Sequence, residues 1–573
     1  MSTNPFRKLE LRTAWYVFAA CLAVFAYFYG LDSQYAPRNG DELVYAHITR
    51  LTAESGHLLP LRSELNSMRN TKPPLLFWQG ILSTDWGREW DLWHLRFPGV
   101  IYTLLTAVLI FLLTRRIAKQ SEAGFLAALA FLAFFSTYRF GRPYLTNPPE
   151  VFWLFLPFFF FLYLGRAAVE SRFLFPAAGG TAIGIGLLYK SFALVAPVCA
   201  GLAWWMLHER RYRLGSFLLR DAWKLALAAL LALGIFCLWF ALDPDPQAVL
   251  KEFVLGENMG KMTPQGGSYV KGLLWGGSSV WALAGGFLSD TGLLIFPFVS
   301  LIFLAAARRG RMEEPEKLLW IWILTQFVFF SLPSQRSGRY LLDAMPAVAV
   351  LLALNWERIP RAAFILSLAC SGLAAAGIGY LSLRLAMETG GGMLYPAVYW
   401  LLPCGTVILA AAAIALRRLT RPVVPVAVLL VFLSFAAFLR PFDGASGNFS
   451  EEAQRYAKGR DVWVPCNFRA KDEGHRFVLP GALVHGYTEK GAPDLAAAAS
   501  RFPLFAFRMP LSRVPDRPGC TVVGERLVIR SRHSNRELKE MILHGRVMQH
   551  FFAREYLIES SEAGSTPPRD ECR

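Results

Sequence analysis

The segment 39–50, NGDELVYAHITR, places two carboxylates, Asp41 and Glu42, directly after an apolar run, WYVFAACLAVFAYFYG. An acid at a water–lipid boundary is costly to keep there and marks function by default. A positioned carboxylate can serve as a general base. Read as a helix, the segment offers Asn39 as N-cap, with Glu42 three residues on at capping-box spacing. Glu42 therefore has a structural reading beside one in substrate binding. Asp41 shares a helical stripe with Val44, Tyr45, Ile48 and Leu51. Its face is the apolar one, which aims the acid and its neighbour Tyr45 into a bundle cavity. His47 reads as a plain interfacial residue.

The cations follow a second pattern. In NTKPPLLFW, two prolines fix the turn that directs Lys72. The plain reading of this lysine is snorkelling; the functional one is a phosphate ligand at headgroup depth. GRPYLTNPPEVFW carries Arg142, Asn147 and Glu150, and GLLYKSFALVAP carries Lys190. GENMGK carries Glu257, Asn258 and Lys261, and SQRSGRYLLDAMP carries Arg336, Arg339, Tyr340 and Asp343. Lys72, Arg96, Arg142, Lys190, Lys261 and Arg339 all fall near the outer ends of apolar segments, against the positive-inside trend. An anionic lipid phosphate would account for cations on that side.

The elements that must hold these residues are membrane helices. The chain has 573 residues, 54% hydrophobic and only 18% charged, against about 25% charged in soluble domains. A span takes about 20 mostly apolar residues. About thirteen candidates occur, at 14–30, 97–113, 122–140, 150–165, 174–190, 192–207, 223–241, 286–306, 318–332, 340–354, 361–382, 395–416 and 423–439. The net charge of +17 is concentrated in short loops such as TRRIAK, AARRGR and RRLTR. It therefore reads as a positive-inside signal rather than a nucleic-acid footprint. With the basic N-terminus inside, an odd count puts the C-terminal tail outside the cytoplasm.

These readings divide the chain into a membrane domain, 1–440, with outer loops 31–96 and 242–285, and an extracytoplasmic domain, 441–573. The first loop is rich in tryptophan (Trp78, Trp86, Trp90, Trp93), which suits a helix lying in the interface. The tail mixes short apolar runs with Gly/Pro turns, as a small α/β or β-rich domain does. Of eight cysteines, Cys466, Cys520 and Cys572 lie in the tail. A Cys466–Cys520 disulfide is one option for an extracytoplasmic domain, and no pair has metal-ligand spacing.

The segments DELVYAHITR, KPPLLFW and HLRFPGV resemble the start of bacterial lipid A aminoarabinose transferases and of the dolichyl-phosphate-mannose protein mannosyltransferases, which are GT-C membrane glycosyltransferases. LLYKSFALVAP, EFVLGENMGK and GRYLLDAMPAVAVLLA resemble later motifs of the same proteins, and the likeness runs over roughly residues 10–440. The resemblance implies a mainly α GT-C fold in a bacterial inner membrane. It also implies transfer of a sugar, with inversion, from a polyprenyl-phosphate donor to an envelope acceptor on the periplasmic face. Lipid A or another glycolipid is the first acceptor, and a protein the second. Asp41 becomes the catalytic base, with Glu150 as a second acid. Lys72, Arg96, Lys190 and Arg339 become donor-phosphate ligands. Glu42, Tyr45, Asn147, Glu257, Asn258 and Tyr340 become substrate contacts.

Three positions depart from the pattern. Asn147 stands where relatives often have an acid, Thr71 where aminoarabinose transferases have Glu, and Asn258 where they have His. The last two remove metal ligands and argue against a divalent cofactor. A polyprenyl-lipid transporter, or a silent lipid-binding relative, is the alternative of another class. Such a protein would explain the spans and outer cations but not the acid on the first outer helix.

Overall fold

The structure is a computed structural model describing residues 5–37, 40–65, 68–261, 268–308, 310–389, 394–444, 446–467, 469–488, 494–530 and 534–564. Asn39 and the side chain of Lys261 lie outside the described residues. In hydrocarbon, backbone groups must pair within their own segment, so the apolar runs become helices. Among the described residues, eight helices are long and apolar enough to cross a membrane, or ten if two bent pairs each count as one span. Ala14–Phe28 and Leu174–Leu187 are shorter apolar helices. By length and composition, then, eight to ten of the expected thirteen pass among the described residues, and the expected spans 14–30, 174–190 and 318–332 coincide with the helices Ala14–Phe28, Leu174–Leu187 and Glu314–Ser331. The chain is a multi-pass membrane protein.

The bends explain part of the difference. The expected span 122–140 is split into Ser121–Ala133 and Phe135–Gly141, bent by 64°. The expected span 286–306 falls across a 100° break between Val280–Asp290 and Gly292–Ala307. Gly292 makes that break: its φ is +58°, and a Cβ there would stand 2.6 Å from the Cβ of Phe135. The two breaks thus pack against each other.

Helices Gly338–Asn355 and Arg417–Asp443 are the most buried of the spans. In the first outer loop, Gly40–Glu54 and Leu75–Ser83 are helical. Trp78 donates to the Leu58 carbonyl at 2.8 Å, and Trp90 stacks on Phe477 of the tail at 6.1 Å. Only Trp86 and Trp93 keep exposed rings, so the loop is a packed part of the protein rather than a strip of interfacial anchors.

The tail forms a five-stranded mixed sheet in the order β2-β1-β3-β5-β4. Its strands are β1 (Asp461–Pro465), β2 (Leu483–Tyr487), β3 (Leu504–Pro510), β4 (Cys520–Ile529) and β5 (Phe552–Ser560). β1 pairs in parallel with β2 and β3, and β5 runs antiparallel between β3 and β4. Alternation along β1 sends Val462 and Val464 into one apolar layer and Trp463 into the other. Cys466 is disulfide-bonded and Cys520 carries a free thiol, so the Cys466–Cys520 pairing is not formed.

The sheet is docked on the helix Gly40–Glu54 by buried charge. Arg50 donates to Glu473 through Nε (2.9 Å to Oε1) and Nη2 (3.1 Å to Oε2). His47 Nδ1 lies 3.3 Å from Glu473 Oε2. His47 is therefore a buried interdomain residue and not an interfacial one. Burial alone would raise the Glu473 carboxyl, but Arg50 outweighs it and holds the group down at about 2. Burial pushes the neighbouring His475 below the ordinary imidazole range, against the pull of Glu555.

Candidate functional site

Three of the sequence motifs converge at the outer end of the bundle. Asp41 lies in the first turn of Gly40–Glu54, half-exposed, and Arg339 Nη1 donates to its Oδ2 at 2.6 Å. Arg339 opens the tight 3-10 turn Gly338–Ala344. It holds Asn147 as well: its Nε and Nη2 donate to Asn147 Oδ1 at 3.0 and 2.9 Å. Asn147 Nδ2 in turn donates to Glu150 Oε2 at 3.2 Å. Glu150, one turn along the same helix and buried, accepts from Lys190 Nζ at 2.7 and 2.8 Å. One polar chain thus runs Asp41–Arg339–Asn147–Glu150–Lys190. Asn147 is suited to the middle of it because an amide can accept from a cation and donate to a carboxylate at once.

Lys190 opens into a cavity of about 490 Å³. Lys72, Lys190, Glu257, Asn258 and Tyr340 form its polar end, and Phe192, Leu194, Pro197, Phe329, Phe330 and Leu332 are among its apolar walls. Lys72 Nζ is 2.5 Å from Glu257 Oε1 and also donates to the Thr71 carbonyl at 2.7 Å. Ser191 Oγ donates to Asn258 Oδ1 at 2.7 Å, which ties the 242–285 loop to the Lys190 turn. The Tyr340 ring lies below Lys190, 5.8 Å from Nζ to centroid. Tyr45 is buried with its ring edge to Phe77 at 6.2 Å. Burial, with Asp41 adding to it, raises its phenol.

Other expected ligands do not reach this cavity. Arg96 is fully buried elsewhere, donating to both Glu42 oxygens at 2.6 and 2.8 Å. Its Nη1 donates to the Leu31 and Ser33 carbonyls at 2.8 and 2.6 Å. It is a structural clamp and not a phosphate ligand. Glu42 also accepts from the Tyr144 amide at 2.8 Å. It ties the first loop to the chain ahead of Asn147 and does not line the cavity, while the capping-box reading falls on Asn39, outside the described residues. Arg142 is likewise buried, donating to the carbonyls of Tyr27 and Tyr29 and to the Tyr138 hydroxyl. A cation that meets several carbonyls in a dry place is positioning backbone.

A second cavity, about 440 Å³, lies on the other side of Asp41 and Arg339. Arg139, Arg469, Asp290, Phe135 and Phe140 line it. None of these was singled out from the sequence; an arginine within an apolar span, at Arg139, was the signal available.

Among the described residues, no three His, Cys, Asp or Glu side chains are grouped to hold a metal ion. Glu257, beside Asn258 at the polar end of the cavity, is already paired with Lys72. The donor set does not fit a divalent metal.

Comparison with known proteins agrees with this architecture. Residues 13–246 match the dolichyl-phosphate-mannose-protein mannosyltransferase family. The undecaprenyl phosphate-alpha-4-amino-4-deoxy-L-arabinose arabinosyl transferase 1 of Sodalis glossinidius is 28% identical over 328 residues, 55% of this chain and 54% of that one. The corresponding enzyme of Pectobacterium carotovorum is 26% identical over 396 residues, 64% and 65% of the two chains. The chain thus spans about half the length of the first of these relatives. The crystal structure of ArnT from Cupriavidus metallidurans bound to undecaprenyl phosphate superposes with a TM-score of 0.61 at 19% identity, over 97% of this chain and all of that one. The same protein in the apo state gives 0.59. The fold is therefore the GT-C fold, in a multi-pass bacterial inner-membrane protein. Within that class the chain resembles the aminoarabinose transferases.

Proposed function

We propose that this protein transfers a sugar from a polyprenyl-phosphate donor to an envelope glycolipid, with lipid A first, on the periplasmic face of the inner membrane. The observation that carries the reading is the cavity of about 490 Å³, which joins a long apolar wall to two lysines at one end. That combination suits a lipid chain ending in a phosphate. The donor names printed for the relatives, and the undecaprenyl phosphate bound by the Cupriavidus protein, support the same assignment.

The chemistry follows from the residues. An oxygen of the acceptor attacks the anomeric carbon of the donor. The bond from that carbon to the phosphate oxygen breaks, and polyprenyl phosphate leaves with the electron pair. Asp41 takes the proton of the attacking O–H. Arg339 orients Asp41 through the 2.6 Å bond. A phosphodiester carries one negative charge; the departing monoester approaches two. Lys72 and Lys190 therefore bind the leaving group more strongly than the intact donor, which is the condition for lowering the barrier. Glu150 serves by holding Lys190 and, through Asn147, Arg339.

In this scheme residues 1–440 form the catalytic domain and 441–573 a periplasmic domain beside it. The test is sugar transfer in membranes lacking the native activity, with both lipid A and glycoproteins read by mass spectrometry. Wild type should modify the lipid pool, and Asp41→Asn and Lys72→Ala at equal expression should not. Full activity of Asp41→Asn would refute the mechanism and favour a transporter or lipid-binding protein.

A further inference from the structure

We propose that the second cavity beside Asp41 receives the phosphorylated sugar headgroup of the lipid acceptor, held by Arg139 of the membrane bundle and Arg469 of the C-terminal domain. The inference rests on the glycosyltransferase reading above and assigns its acceptor site.

Two substrates must meet at one base. Arg339 and Asp41 line the second cavity, while the next residue, Tyr340, lines the first. The turn Gly338–Ala344 is therefore the wall between them. The wall is thin because two glycines let backbones touch: a Cβ on Gly338 would stand 2.7 Å from the carbonyl carbon of Gly286.

The lining selects the ligand. Arg139 lies over the rings of Phe135 and Phe140, 5.6 and 5.2 Å from guanidinium carbon to centroid. Arg339 lies over Phe140 too, at 5.2 Å. Arg469 comes from the other domain and passes over the start of the Asp41 helix. Its Nη1 stands 3.4 Å from where a Cβ of Gly40 would be, so a larger residue at 40 would crowd the guanidinium. Both guanidinia belong to exposed residues that line the cavity, and bidentate pairing with phosphate is the geometry arginine favours.

Asp290 supplies the complementary group. It is 8% exposed, it lines the cavity, and its Oδ2 is buried with no hydrogen-bond partner. An unsatisfied buried acceptor calls for a donor from a ligand. Two arginines, one open carboxylate oxygen and two aromatic faces match an anion attached to a ring that bears hydroxyl or amino groups. A hydroxyl on a peptide would use neither cation. A second polyprenyl phosphate would lack the apolar depth that the first cavity has.

The experiment uses the full-length protein in detergent. Native mass spectrometry compares bisphosphorylated lipid A with the same lipid enzymatically dephosphorylated, on wild type, Arg139→Ala, Arg469→Ala and Arg469→Lys. Wild type should bind the phosphorylated lipid about tenfold or more tightly than the dephosphorylated one. Each alanine variant should lose most of that preference, Arg469→Lys should keep part of it, and binding of undecaprenyl phosphate should not change. Equal binding of the two lipids by wild type, or unchanged preference in both alanine variants, would overturn the proposal. Arg139 and Arg469 are exposed, and an unchanged thermal midpoint checks that the variants fold. If wild type binds with phosphate preference yet transfers no sugar, the acceptor cavity stands and the catalytic reading fails. If it transfers sugar to proteins and shows no lipid preference, the catalytic reading stands and the acceptor assignment fails.

Discussion

Removing one partner of a lysine–carboxylate pair should have very different structural costs at the two lysines of the first cavity. Lys190 faces Glu150, whose side chain is 2% exposed; Lys72 faces Glu257, whose side chain is 29% exposed. Lys190→Ala strands a carboxylate in a dry site, with only the Asn147 amide left to it. Breaking a buried pair this way costs about 3–5 kcal/mol. Lys72→Ala leaves Glu257 in reach of water, and partly exposed pairs are worth about 1 kcal/mol or less. Both changes remove a cation from the donor end, so both should abolish binding of undecaprenyl phosphate. Thermal unfolding in detergent, read with and without that lipid, separates the effects. Lys190→Ala should fall well below wild type while Lys72→Ala stays close to it, and neither should be stabilised by the lipid. The double variant Lys190→Ala/Glu150→Gln should regain most of the lost stability, because the stranded charge is gone, and still ignore the lipid. If Lys190→Ala is as stable as wild type, or the double variant is no better than the single, Glu150 is not held ionised by Lys190 and the reasoning fails.

The remaining predictions concern the rest of the network and the domain contact. Arg339→Lys should lose transfer by about a hundredfold or more, since the single nitrogen of an ammonium cannot span the planar fork of three nitrogens that reaches Asp41 and Asn147 together; initial rates at saturating donor test it. Asn147→Asp should keep the Arg339 bond but set a second carboxylate against Glu150, lowering the thermal midpoint more at pH 8 than at pH 5. Acid should undock the C-terminal domain in two stages, read by hydrogen exchange of the Gly40–Glu54 helix. The burial of neutral His475 favours the docked state fully above its unfolded value near 6.5 and less as pH falls below it. The Glu473 pair contributes fully above the unfolded value of 4.5 and is lost as pH falls towards about 2, worth about 3 kcal/mol at most. Glu473→Gln should remove the second stage and leave the first.

What was legible in the sequence follows a physical division. Asp41, Lys72, Lys190, Glu257 and Arg339 sit in short stretches whose turns and caps are local, so their placement at the outer ends of apolar runs could be read directly. The pairings could not. Glu150 and Lys190 are 40 residues apart, and Arg339 and Asp41 are 298 apart. Arg96 and Arg142 misled because a cation at the edge of an apolar run looks alike whether it awaits a phosphate or clamps four carbonyls and carboxylate oxygens. Only the carbonyl ends of Leu31, Ser33, Tyr27 and Tyr29 distinguish the cases. The bends within spans were hidden for a similar reason: hydropathy sees an apolar run through Asp290–Gly292 and not the contact with Phe135 that bends it.

The charge arrangement bears on how the reaction is ordered. Lys72, Lys190 and Arg339 each hold a carboxylate, from Glu257, Glu150 and Asp41. The charges of the site are thus compensated pair by pair, and a phosphate that binds Lys72 competes with its acid. Glu257 is the acid that can yield. It is partly exposed and sits on the wide-turned helix Leu250–Asn258, whereas Glu150 is enclosed in a membrane helix. The donor should therefore engage Lys72 by displacing Glu257, while Lys190 keeps Glu150 and gives its remaining N–H to the phosphate. Glu257, still at the polar end of the cavity, then faces the donor sugar, whose hydroxyls can donate to it. Glu257→Gln tests this ordering: it should tighten undecaprenyl phosphate, which has no sugar, and weaken transfer. Looser binding of undecaprenyl phosphate would mean that Glu257 positions Lys72 rather than competing for it.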